Sequence, residues 1–286
     1  MPVELRIIRA STKEERPSLD QKTSHPQNYE EIFEARGHLY NEAGSRCPQA
    51  RERERGALLD MLAPVAGEVI CDAPAGGGYV ADGIRARLGD RVRVICVEPA
   101  RRFASAINPA FEIRHDAMDA LTLEDASIDA VASLAGLHHF ADKRPVFREW
   151  GRVVRPGGRV AVADVQADTD VAAFLNTFVD AWTPGGHDGI FLQPGELSES
   201  LATAGFEPMS EELRQVPWEF PDEATMAMFC RTLFGLTKAT VEQVHAGMKD
   251  YLRVEATATG VRFLWRLRYA LARRGGEVIS DQWRQQ

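Results

Sequence analysis

The sequence predicts an α/β protein with a mostly parallel sheet covered by helices on both faces, and three observations carry that prediction. Apolar runs of strand length recur at residues 68–71, 92–97, 128–134 and 159–163, separated by stretches of helical spacing. The first run ends at Asp72 and opens into Gly76-Gly77-Gly78, where the backbone can turn sharply and a ligand can approach without meeting a Cβ. Later runs also end on polar residues, at Glu98, Asp116, His138-His139 and Asp164, so the reactive side chains gather at the carboxyl ends of the strands.

The elements follow in order. Residues 1–27 mix charges with Ser, Pro and Gln and read as an N-terminal arm. Over 28–63, Ile32, Phe33, Leu39, Leu58, Leu59 and Leu62 fall at helical spacing, with a break at Ser45-Arg46-Cys47-Pro48, which predicts two helices before the first strand. Tyr79-Val80-Ala81 starts a helix after the glycines, and a third strand-length run closes at Ile113-Arg114-His115-Asp116-Ala117. The stretch from Trp150 gives the end of a helix, a turn at Pro156-Gly157-Gly158 and a fifth strand to Asp164. Pro194-Gly195 opens a helix that Gly205 closes, and a sixth strand is expected within 208–220. Two amphipathic helices come next, one carrying Met226, Phe229, Leu233 and Phe234, the other Val241, Val244, Met248, Tyr251 and Leu252, before a last strand at 261–269. This organisation is one domain over 28–286: helices at 28–63, a core at 64–220, a helical insertion at 221–260 and a last strand and tail at 261–286. The insertion reads as a lid, with a core-thickening helical pair or a homodimer surface as the alternative.

Composition narrows the partners. The 286 residues are 44% hydrophobic and 27% charged, ordinary for a chain with one sizeable core. Net charge is -8, and bases are interleaved with acids, as in Arg51-Glu52-Arg53-Glu54-Arg55, so nucleic acid is not expected as a partner. No run reaches the ~18 apolar residues of a membrane span, and Met1-Pro2-Val3-Glu4-Leu5-Arg6 lacks the core of a secretory signal; the expectation is a cytoplasmic protein without a membrane partner. Cys47, Cys71, Cys96 and Cys230 lack metal-ligand spacing and are expected as free thiols, with no metal site.

The carboxylate ahead of the glycines selects the ligand. Gly76-Gly77-Gly78-Tyr79-Val80-Ala81 satisfies the loose dinucleotide spacing, but Asp72 would face the phosphates with like charge. It suits a ligand with a cationic amino group and no phosphate, such as S-adenosylmethionine. Glu98 is then placed to take the ribose hydroxyls, and Asp116 to meet the adenine amino group.

In their order, these motifs resemble the class I S-adenosylmethionine-dependent methyltransferases, specifically the broad small-molecule group with a D-x-x-x-G-x-G loop, an L-H-H segment and an R-V-x-x-P-G-G turn, over residues 60–220. The resemblance implies a Rossmann-like, seven-stranded sheet whose last strand is antiparallel, with insertions near strand six covering the acceptor pocket. It also implies S-adenosylmethionine as cofactor, released as S-adenosylhomocysteine, with contacts at Asp72, Ala73, Pro74, Gly76, Gly78, Glu98, Pro99, Asp116, Ala117 and Leu134. Pro74 stands where the family usually has its first glycine. Tyr40 and Arg51 are candidates to close over the methionine end, against an ordinary helix-packing or surface role.

Methyl transfer is an in-line displacement at carbon, so a hydroxyl acceptor needs a base. His138, His139 and Asp164 are the candidates, matching a His-His pair and strand-five acid used by some sugar O-methyltransferases of the group; His187, on a glycine-rich loop, is a fourth. A small-molecule acceptor is expected, with oxygen favoured over carbon or nitrogen. Competing readings are a His that caps a helix or packs beside the adenosine, a nicotinamide-dependent oxidoreductase, and a non-catalytic cofactor-binding partner protein.

Overall fold

The computed structural model describes residues 28–276, so the expected arm at 1–27 and the end of the tail at 277–286 lie outside the described residues. Two helices come first, α1 (Tyr29–Arg46) and α2 (Glu52–Leu62). Asn28 fixes the start of α1 through a capping box: its side chain accepts from the Glu31 amide at 2.9 Å, and the Glu31 carboxylate accepts from the Asn28 amide at 3.3 Å. That cap sets Tyr29 in the first turn of the helix.

The core then runs β1 (Val69–Asp72), α3 (Tyr79–Leu88), β2 (Arg93–Val97), the short α4 (Arg101–Ala104), β3 (Glu112–Arg114), β4 (Ile128–Leu134), α5 (Arg144–Val153) and β5 (Val154–Asp164). A helical stretch follows as α6 (Asp170–Ala173), a π-helical turn (Phe174–Val179) and α7 (Asp180–Trp182), and then α8 (Glu196–Thr203) and β6 (Phe206–Gln215). The chain closes with β7 (Trp218–Phe220), α9 (Glu223–Leu233), α10 (Val241–Tyr251), β8 (Val254–Thr257), β9 (Gly260–Phe263) and β10 (Arg266–Arg274).

The seven-stranded sheet has the order β3-β2-β1-β4-β5-β10-β6. Neighbours from β3 to β5 are parallel, and β10 is antiparallel to both β5 and β6. The chain leaves β1 toward β2 on one side and returns as β4 on the other, and the crevice at that reversal is where open α/β sheets bind ligands. Asp72 and the glycine loop lie at the end of β1, and Leu134 to His139 lie at the end of β4.

Three boundaries differ from the sequence expectation. The run expected as one last strand is split: β9 belongs to a separate three-stranded sheet, β7-β9-β8, and the last strand of the main sheet begins only at Arg266. Strand six starts earlier, at Phe206, and the residues after Gln215 leave it for β7. The expected turn at Pro156-Gly157-Gly158 is absorbed within β5, where the register shifts between Ile128 and Ala130. Both helices expected in the insertion form. Its sheet is held by aromatic packing, with Trp218 4.6 Å from Trp265 and 5.2 Å from Phe263, and Trp218 donates to buried Glu54 of α2 at 2.9 Å.

Candidate functional site

A cavity of about 430 Å³ opens at the reversal point, within the usual size of a small-molecule site. Its floor is Pro74, Ala75, Gly76 and Gly77; one wall carries Leu134, His138, His139 and His187. α1 supplies Tyr29, Phe33, Arg36, Tyr40 and Asn41, β7 supplies Trp218, and the insertion supplies Phe229, Leu233 and Phe234.

The glycine loop is built for close approach. Gly76 and Gly78 have φ of +54° and +87°, and a Cβ on Gly76 would stand 2.7 Å from Phe103 Cζ. Asp72, at 0% exposure, accepts from the Ala81 amide at 3.0 Å with Oδ2 and so caps the start of α3. Its Oδ1 is buried without a partner among the described residues. Burial pushes this carboxyl up to about 8, against the Ala81 hydrogen bond and with further push from Glu98 and Asp82. An orphaned buried oxygen beside a glycine cradle fits a cationic amino group, and so fits the amino-acid end of S-adenosylmethionine.

Glu98 is also buried. Its Oε2 accepts from the Tyr29 hydroxyl at 2.7 Å and the Gly76 amide at 2.8 Å, and its Oε1 from the Ala100 amide at 2.9 Å. Burial pushes it up to about 7 despite these donors.

The histidines converge. His138 Nδ1 lies 2.6 Å from Asp164 Oδ1, and the same carboxylate accepts from the backbone amides of Leu137 at 2.6 Å, His138 at 3.2 Å and Val165 at 2.6 Å. Burial alone would raise the Asp164 pKa; His138 and these amides outweigh it and hold the group below the usual carboxylate range. An ionised Asp164 fixes the proton of His138 on Nδ1, which leaves Nε2 free to accept. His139 lies 4.2 Å from His138, ring centre to ring centre, and 5.2 Å from Phe33. His187 donates from Nδ1 to Asn176 Oδ1 at 2.8 Å, which again leaves Nε2. Burial first, and then the neighbouring His138 and Arg36, hold His139 and His187 well below the ordinary imidazole pKa, so both are neutral. Nitrogens of the three imidazoles all lie within 4.8 Å of one another.

Of the residues expected from the sequence, Tyr40, Pro74, Gly76, Leu134, His138, His139 and His187 line the cavity. Asp72, Ala73 and Glu98 lie immediately behind it, fully buried; Asp164 reaches it through His138. Gly78 acts as the N-cap of α3, and Pro99 follows Glu98 without lining the cavity. Asp116 and Ala117 do not line it either: the Asp116 carboxylate is engaged by the Thr122 amide and hydroxyl, each at 2.8 Å. Arg51 lines the cavity but is engaged by Glu54 and the Tyr40 hydroxyl. Cavity residues that escaped the sequence reading include Tyr29, Phe33, Arg36 and Phe103. The available signal was the (i, i+4) pairing of Tyr29 with Phe33 and of Arg36 with Tyr40 along α1.

The chain is similar to known methyltransferases. A family model described as a methyltransferase domain matches residues 71–162, the stretch from β1 into β5. A ubiquinone biosynthesis O-methyltransferase of Methylocella silvestris is 34% identical over 171 residues, covering 56% of this chain and 66% of the relative. The protein of the same name from Ralstonia nicotianae is 30% identical over 161 residues, covering 52% of this chain and 67% of the relative. The matched stretch therefore spans about two thirds of the length of these curated relatives. Among solved structures, the YcgJ protein of Bacillus subtilis superposes with a TM-score of 0.58 at 16% identity over 77% of this chain and 97% of that one, a likeness of fold. No helix among the described residues is long and apolar enough to cross a membrane. By the domain match and the extent of the second relative covered, the chain belongs to the class I S-adenosylmethionine-dependent methyltransferases.

Proposed function

We propose that this protein methylates a hydroxyl group of a small molecule, with His138 as the base and Asp164 as its orienting carboxylate. The observation that carries the reading is the 2.6 Å contact between His138 Nδ1 and Asp164 Oδ1 at the wall of the cavity. S-adenosylmethionine, when bound, supplies the electrophilic methyl group. Asp72 is proposed to hold its amino group, Glu98 its ribose, and the backbone at Gly76 and Gly77 its methionine end; Ala73, Pro74, Gly78 and Leu134 shape the surrounding surface. His138 Nε2 receives the hydroxyl proton, and buried Asp164 stabilises the resulting imidazolium. Neutral His139 and His187 keep competing positive charge away from that nitrogen and offer further positions for the acceptor hydroxyl. Both curated relatives are named O-methyltransferases, which also favours oxygen over carbon or nitrogen.

The insertion is proposed as a lid, because Phe229, Leu233 and Phe234 contribute to the cavity wall. Asp116, Ala117 and Pro99 would join the adenine end only after a local rearrangement that frees Asp116 from Thr122. The test is incubation with methyl-labelled S-adenosylmethionine and a panel of phenols, catechols, amines and activated carbon acids. Methyl ethers are the expected products. Methylation confined to nitrogen or carbon would contradict the hydroxyl assignment.

A further inference from the structure

Three arginines line the cavity, and two of them are neutralised. Arg51 is paired with Glu54, and Arg55 with Glu52 while it also donates to the Tyr79 carbonyl at 3.0 Å. Arg36 has no hydrogen bond or ion pair with any other described residue; its guanidinium stands over the ring of Phe33, 5.8 Å from the centroid. It sits half-buried on the cavity face of α1, one turn before Tyr40. The insertion closes over its stem at Gly235, where an added Cβ would stand 3.8 Å from Arg36 Cδ.

The position of this charge separates it from the cofactor end. Arg51 and Arg55 both stand over the ring of Tyr79, the first residue of α3 after the glycine loop, at 5.4 and 4.2 Å. Arg36 instead stands over Phe33, whose ring is edge-on to His139 at 5.2 Å, and its charge lowers His139 and His187, which puts it toward the histidine wall. Those imidazoles are neutral, so the guanidinium faces no compensating charge on the opposite wall. Burial accordingly pushes Arg36 down to about 10. A half-buried guanidinium without a carboxylate is a costly arrangement that an anionic ligand would relieve, and its planar fork matches a carboxylate better than a point charge does. Phe33, stacked on Phe103 at 4.7 Å and edge-on to His139 at 5.2 Å, lines the space between the guanidinium and the histidines with flat apolar surface.

We propose that the acceptor is a planar hydroxylated carboxylic acid, its carboxylate anchored by Arg36 and its hydroxyl presented to the histidine wall. The inference rests on the hydroxyl-methylation reading, and its test reads binding, so that the two fail separately. Wild-type protein saturated with S-adenosylhomocysteine is titrated calorimetrically with 3,4-dihydroxybenzoate and with its neutral isostere, 3,4-dihydroxybenzamide. The acid is expected to bind at least tenfold tighter than the amide. Arg36→Gln should erase that preference, Arg36→Lys should retain part of it, and S-adenosylhomocysteine affinity should stay within about twofold in both variants. Equal binding of acid and amide to the wild type, absence of binding by the acid at millimolar concentration, or a preference that survives Arg36→Gln would each overturn the proposal. A collapse of S-adenosylhomocysteine affinity in Arg36→Gln would also overturn it, by placing the guanidinium on the cofactor's own carboxylate.

Discussion

The hydroxyl of Tyr29, in the first turn of α1, donates a buried 2.7 Å hydrogen bond to Glu98, the acid at the end of β2. Glu98 also accepts from Gly76 and Ala100 and is fully shielded from solvent, so a ribose hydroxyl reaching Oε2 competes with Tyr29. Tyr29 is itself stacked on Phe140 at 5.3 Å, which ties the start of α1 to the histidine segment.

Tyr29→Phe should therefore bind S-adenosylhomocysteine severalfold tighter, because the competing donor is gone while the ring packing remains. The same change should lower the stability of the ligand-free protein by about 1.5–3 kcal/mol, the worth of a hydrogen bond to a charged group. Calorimetry and denaturant unfolding check the two halves. Weaker cofactor binding in Tyr29→Phe would show that the hydroxyl supports the bound state instead.

Cofactor affinity should rise with pH. Burial holds Asp72 at about 8 and Glu98 at about 7, so near neutral pH the free protein keeps Asp72 largely protonated. A cationic amino group prefers ionised Asp72, so binding releases a proton and strengthens as pH climbs from 6 toward 8, until the ligand's own ammonium deprotonates. The binding enthalpy should accordingly depend on buffer ionisation at pH 7, and Asp72→Asn should bind more weakly with a flatter pH profile. A pH-independent affinity in the wild type would remove Asp72 from this role.

The insertion should respond to ligand. Phe229, Leu233 and Phe234 contribute side chains to the cavity, so amide exchange across Glu223–Leu233 should slow when S-adenosylhomocysteine and an acceptor are both bound. Exchange that is the same with and without ligands would make these helices static walls.

Much of the sheet was legible because its central strands are buried on both faces and read as unbroken apolar runs, as at Ile70-Cys71 and Ile95-Cys96-Val97. The small β7-β9-β8 sheet was not: its strands are three or four residues long, and no Gly or Pro marks the break at Leu264-Trp265 that separates β9 from β10. That break is set by tertiary contacts, including the Val216 amide donating to the Trp265 carbonyl at 2.8 Å. The strand-end acids and histidines were legible because topology delivers them to one edge. Tyr29 and Arg36 were legible only as i,i+4 partners on one helix face, because nothing in α1 reveals that this helix folds back over residues 98 to 140; the bond from Thr122 to Asp116 depends on a loop with no periodic signal.

The central claim is that His138, held by Asp164, takes the acceptor proton. Its most direct test is the single-turnover rate of methyl transfer from labelled S-adenosylmethionine to a hydroxylated acceptor found in the panel, compared between wild type and His138→Ala, with S-adenosylhomocysteine affinity measured on both. A positioned imidazole base contributes roughly 10²–10⁴-fold, so the variant should lose that much rate and keep cofactor affinity within about twofold. Methyl transfer at the wild-type rate in His138→Ala would contradict the account and leave alignment of the reactants, without a base, as the source of catalysis.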